Sequence, residues 1–214
     1  MRRTFELGGI VAAVVLITFG VAAIVMGFNG RTTVHSSLKQ EQIVGTPDMT
    51  PKAIAAEAKQ AGLPAGVSLP TCTVAGQQVT NGSRARCFAS YMRIHALEAT
   101  GGLTYAQMPR YATADGKGTN DVTAAQKGPK GQPLDNPKRS VWINETALGT
   151  ALNSSYMAER ISLFGIVVGI ALLLSGLGFA ILAAGGALRN RQSAIADLAE
   201  RTPKPDTELA VPVA

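Results

Sequence analysis

Two long apolar runs dominate the chain, one near each end, and between them the hydrophobic pattern breaks into short pieces. Residues 7–28 (LGGIVAAVVLITFGVAAIVMGF) carry no charge, and neither do residues 161–188 (ISLFGIVVGIALLLSGLGFAILAAGGAL). At ~1.5 Å per helical residue the first run reaches roughly 33 Å, about the thickness of a bilayer's hydrocarbon core. The second is longer and is expected to tilt or to project past the interface. The competing reading, a pair of helices buried inside a soluble core, does not account for two uncharged runs of this length closed by arginines. The first run is also too long for the apolar segment of a secretory signal, and no A-x-A site follows it. It is therefore expected to stay in place as an anchor.

The stretch from 29 to 160 predicts a small, mainly α-helical domain on stalks. Val34 and Leu38 continue the first helix outward to about Ile43. Thr50-Pro51 places an N-cap and a first-turn proline ahead of KAIAAEAKQA, and Gly62 follows as a stop. Pro64, Gly66 and Pro70 then exclude a helix. Cys72–Val74 and Gln78–Thr80 are expected to pair as a short hairpin across Ala75-Gly76. Ser83 is the expected cap of a helix over RARCFASYMRIHALEAT, which ends at Gly101-Gly102. Residues 103–130 are rich in turn formers and read as a long, partly disordered loop. Val141-Trp142-Ile143 reads as a short strand. Asn144 is the expected cap of a helix that runs into the second span. The resulting plan is a cytoplasmic N-terminus (1–6), a transmembrane helix (7–28), an extracytoplasmic domain (29–160), a second transmembrane helix (161–188) and a cytoplasmic, partly disordered tail (189–214).

Composition sharpens this picture at one point. Hydrophobic residues make up 46% of the 214 positions but aromatic residues only 5%, so the middle domain has little with which to build a core. Small domains in that position generally need a staple. Cys72 and Cys87 are the only cysteines. In an oxidising compartment they are expected to form one disulfide, closing a loop of about 15 residues and contributing roughly 3 kcal/mol. No C-x-x-C spacing suggests a redox pair.

Charge orients the plan. The net charge is +6, but the basic residues are thinly spread, which argues against nucleic acid as a partner. Arg2 and Arg3 precede the first run, and Arg189 and Arg191 follow the second. That bias favours both termini in the cytoplasm of a cell-membrane protein crossing twice. Gly165 and Gly169 form a G-x-x-x-G within the second run. They predict close helix packing, either between the two spans or against another subunit.

Candidate chemistry is sparse. His35 and His95 are the only histidines. Cys87, Tyr91 and His95 recur every four residues on one helix face, the beginning of a metal-ligand pattern that a disulfide would interrupt. An active site would have to draw on residues such as His95, Glu98 and Arg84. Asp48, Glu57, Glu98, Asp115, Asp121, Asp135 and Glu145 are dispersed along the chain, with no spacing that suggests a general acid and base. No G-x-S-x-G, Ser-x-x-Lys or P-loop spacing is present. No catalytic, cofactor or metal residues are assigned on this basis. The expected partners are the lipid bilayer and either an envelope protein or a second copy of the chain. A non-enzymatic interaction or accessory role follows, with a sensor or signal-coupling role as the alternative.

The Ala/Gly/Val-rich runs, the central NGSRARCFASYMRIHALEATGGLTYAQMPRYATADGKGTND stretch and the Trp142-containing stalk before Tyr156-Met157-Ala158-Glu159-Arg160 resemble a group of two-span membrane proteins of high-GC actinobacteria. The resemblance covers nearly the whole chain and implies topology without an activity. Some similar sequences carry a ring-opening dioxygenase label. An extradiol iron site needs two histidines and a carboxylate in one pocket, and the residues here do not supply that set.

Overall fold

The computed structural model describes residues 2–185, with side chains from Phe5 onward. Four α-helices follow in order: α1 (Arg2–Gln40), α2 (Pro51–Gln60), α3 (Gly82–Thr100) and α4 (Pro137–Ala184), with a 3-10 turn at Tyr105–Gln107 between the last two. Strand-like pairing among the described residues is limited to isolated bridges. The described residues divide into two units, 2–25 with 166–185, and 26–165.

In the first unit α1 runs against α4 through small residues. A Cβ on Gly20 would lie 2.8 Å from the Gly169 carbonyl oxygen, and one on Gly169 would lie 2.7 Å from the Gly20 carbonyl oxygen. Likewise, a Cβ on Gly176 would lie 3.1 Å from the Ala13 carbonyl oxygen. Backbones this close require glycine at the crossing. The large apolar side chains face outward instead: Phe19 is 65% exposed and Ile181 71%. Only 17% of the most apolar stretch of each long helix is buried. Both are long and apolar enough to cross a membrane.

In the second unit α3 is the central element. Ala85, Cys87, Ala89, Tyr91, Ile94, Ala96 and Leu97 are buried along it. One side of α3 packs with Met49, Ile54, Ala58, Val74, Met108 and Trp142. The other packs with Leu38 of α1, Val79 and Leu152 of α4. The disulfide joins Cys72 to Cys87, and the buried Tyr91 hydroxyl donates to the Cys72 carbonyl at 2.5 Å.

The helix ends follow local chemistry. Thr50 caps α2 by accepting from Ala53 N at 3.2 Å, with Pro51 in the first turn. Gly62 and Gly101 follow α2 and α3 with φ of 65° and 72°. In each case the next residue's N–H closes back on the helix, Leu63 to Ala58 O and Gly102 to Leu97 O, the Schellman pattern.

Several sequence expectations are corrected. α1 ends at Gln40 rather than near Ile43. Asn81, not Ser83, caps α3, its Oδ1 accepting from Arg84 N at 2.9 Å. Two contacts with α4 favour that register. The Glu159 carboxylate accepts from Gly82 N at 2.7 Å, and a Cβ at Gly82 would lie 2.6 Å from Tyr156 Cα. The 72–80 segment does not close on itself as a hairpin. Val74 and Gln77 form a turn with Gly76 at φ 66°, and the segment bridges to Val44 and Gly45 instead. Val141-Trp142-Ile143 is helical, because α4 already starts at Pro137. Asn136 supplies that start: its Oδ1 accepts from Lys138 N, while its amide donates to Pro109 O.

Residues 103–130, expected to be partly disordered, form a held loop. Tyr111 and Thr119 exchange both backbone hydrogen bonds, and Ala112, Gln126 and Leu134 are linked through theirs. The anchoring donors and acceptors are backbone groups distant in sequence, which composition does not reveal.

Candidate functional site

Two features of the second unit bring chemistry together, and both involve α3. The first is a cleft of about 990 Å³ walled by α1, α3 and α4. Its lining is mainly apolar, with Leu38, Met49, Phe88, Met92, Val141 and Leu148 among the wall residues. The ionisable groups on the wall are Glu41, His95 and Glu145. Glu145 is buried and has the Arg93 guanidinium 4.0 Å away, itself stacked 4.9 Å from the Trp142 ring. A concave apolar surface with a few polar groups has the anatomy of a binding site.

The second feature is a cluster at His95. Asp48 sits in the turn before α2, Glu57 lies on α2 and His95 on α3. Nε2 of His95 is 2.9 Å from Asp48 Oδ2 and 3.7 Å from Glu57 Oε2. One ligand-capable atom from each residue falls within 4.8 Å of the others. Nε2 itself is buried, with the Asp48 carboxylate as its nearest acidic neighbour. Glu98, one helical turn along α3, also has a buried oxygen, Oε1, without a partner.

The electrostatics of the cluster are unbalanced. Burial raises the Glu98 pKa, His95 opposes this, and the charges of Glu57 and Asp48 add to the rise. The Thr46 hydroxyl is the main cause that holds Asp48 below the ordinary carboxylate value, against the opposing effect of burial, with a smaller contribution from His95. Among the described residues no lysine or arginine pairs with Asp48, Glu57 or Glu98.

The residues singled out in the sequence are distributed as follows. Cys72 and Cys87 are bonded to each other. Tyr91 is buried beside them, so of the Cys87–Tyr91–His95 face only His95 reaches the cluster. Arg84 lies about three turns from His95 along α3 and bonds the Gln78 carbonyl and the Thr80 hydroxyl, which separates it from His95 and Glu98. His35 is exposed on α1. Gly169 meets Gly20 within the chain, and Gly165 is half-buried. The backbone of Arg2 and Arg3 belongs to α1, whereas Arg189 and Arg191 lie outside the described residues. Two of the carboxylates read as dispersed, Asp48 and Glu57, converge on the His95 imidazole, and Glu98 lies close enough on α3 to feel their charges. No spacing signals this, since the three come from a turn and two different helices.

Comparison with protein-family models, curated proteins and solved structures returns no match for the chain.

Proposed function

We propose that α1 and α4 anchor the chain in a cell membrane, with both termini in the cytoplasm. The intervening unit then works outside as a non-enzymatic interaction or accessory module. The cleft is the observation that carries this reading. Outward apolar side chains on both long helices support the anchoring, and the Cys72–Cys87 bond fits an oxidising compartment. The occupant that fits the cleft is a segment of an envelope protein presenting apolar side chains with a basic group. The exposed Glu41 supplies the complementary charge along a mainly apolar wall.

The test is photo-crosslinking in intact cells from a probe placed at Leu148, an exposed wall residue. The expected result is an adduct with one stoichiometric envelope protein, lost when Phe88 or Met92 is replaced by Glu in the same chain. Adducts with lipid alone, or only with other copies of this chain, would overturn the proposed partner.

A sensor reading is favoured by one observation, namely that His95 belongs both to the cleft wall and to the carboxylate cluster. Occupancy of either is then felt at the other through a shared side chain.

A further inference from the structure

Two carboxylates meet one imidazole in the second unit and Glu98 adds a third acidic group nearby, with no lysine or arginine paired to them among the described residues. Carboxylates gathered in this way are relieved by protonation, by a basic side chain or by a bound cation. Nε2 lies 2.9 Å from Asp48 and 3.7 Å from Glu57, and one ligand-capable atom from each of the three residues falls within 4.8 Å of the others, a spacing that one bound cation can bridge.

We propose that Asp48, Glu57 and His95 form a divalent-cation site, with Glu98 as a nearby carboxylate that offsets the ion's charge. Ligand atoms each about 2.1 Å from a metal in a tetrahedral arrangement lie roughly 3.4 Å apart. The observed separations of 2.9 and 3.7 Å from Nε2 bracket that value. One nitrogen with two carboxylate oxygens suits Zn2+ or Mn2+, whereas Ca2+ prefers an all-oxygen set. Three protein ligands leave a coordination position open to water or to a donor atom of a bound molecule. The three side chains are each about one-third exposed, so the site is reachable from solvent.

The ion would join the turn before α2, α2 itself and α3. Those segments otherwise meet through Met49, Ile54 and Ala58 against α3. Binding is therefore expected to stiffen the α2–α3 contact and to hold His95, and with it one part of the cleft wall. The inference does not depend on what the cleft takes.

The test uses the full chain in mild detergent, stripped with EDTA and titrated separately with Zn2+, Mn2+ and Ca2+. Stoichiometry is read by native mass spectrometry and stability by thermal unfolding. The expected result is one Zn2+ or Mn2+ per chain with a raised Tm. Affinity should fall at least tenfold in His95→Ala and in Glu57→Gln, and stay unchanged in His35→Ala, which removes an exposed histidine elsewhere. Glu57→Gln is nearly isosteric and partly exposed, so it keeps the test informative if His95→Ala fails to fold. Absence of uptake by the wild-type chain would overturn the proposal. So would Ca2+ bound in preference to Zn2+ and Mn2+, or equal affinity in Glu57→Gln.

Discussion

Glu159 and Glu98 show how far a carboxylate's neighbours decide its contribution. Glu159 is satisfied twice, accepting from Gly82 N at 2.7 Å and lying 3.5 Å from Arg31. It also places negative charge at the start of α3, where the helix dipole favours it. Glu98 has a buried oxygen with no partner, and its pKa is raised chiefly by burial. A raised folded-state pKa means that the folded chain holds its proton more tightly than the unfolded chain. The stabilisation is fully present below the ordinary value of 4.5 and is lost as pH rises through the higher folded value. In metal-free protein, Glu98→Gln is therefore expected to unfold at a higher denaturant concentration than wild type at pH 7. That advantage should vanish below pH of about 4. A variant less stable than wild type at neutral pH would show that Glu98 makes a favourable contact in the metal-free state. Asp48 has the opposite sign: its lowered pKa contributes stability above the ordinary value of 3.8 that is lost as pH falls.

At the scale of elements, α3 depends on two constraints of different origin. The Cys72–Cys87 bond closes a loop with a sequence separation of 15. Restricting the unfolded chain in this way contributes about 3 kcal/mol. Replacing both cysteines with alanine is expected to lower unfolding free energy by about that amount in denaturant titration, with a loss below ~1 kcal/mol showing that the core carries the domain without the staple. The other constraint is the close approach at Gly82, where a Cβ would press on the α4 backbone at Tyr156. The caps at Thr50, Gly62 and Gly101 were legible because each acts within a few residues of its helix. The α3 start was not. Asn81 and Ser83 are both competent caps, and contacts with α4 distinguish them. Val141-Trp142-Ile143 was misread for a related reason. β-branched residues beside an aromatic read as a strand, but Asn136-Pro137 had already started a helix whose face buries Trp142 in the α3 core.

At the scale of the whole molecule, topology is the property most open to direct measurement. Long helices with outward apolar side chains predict two crossings, and the arginines beyond each run predict the orientation. A reporter active only outside the cytoplasm is expected to work when inserted at the Asp115–Gly118 turn. A cytoplasmic reporter is expected to work after residue 200. Signals from both positions on one side of the membrane would show that α4 does not cross between them and would overturn the plan of two crossings.

What the sequence determined alone follows from short-range physics. Uncharged runs as long as a bilayer is thick, cap residues next to their helices, and two cysteines with no other partner each leave few alternatives. What only the tertiary structure decided depends on groups far apart in sequence. Asp48, Glu57 and His95 come together because α2 packs on α3 through Ile54 and Ala58. The cleft draws its wall from three helices, with Leu38, Phe88 and Leu152 contributed by α1, α3 and α4. Residues 103–130 are ordered because their backbone groups find partners across the loop. Hydrogen bonds and charges act over a few ångströms in space, so separation along the chain gives no measure of which groups will meet.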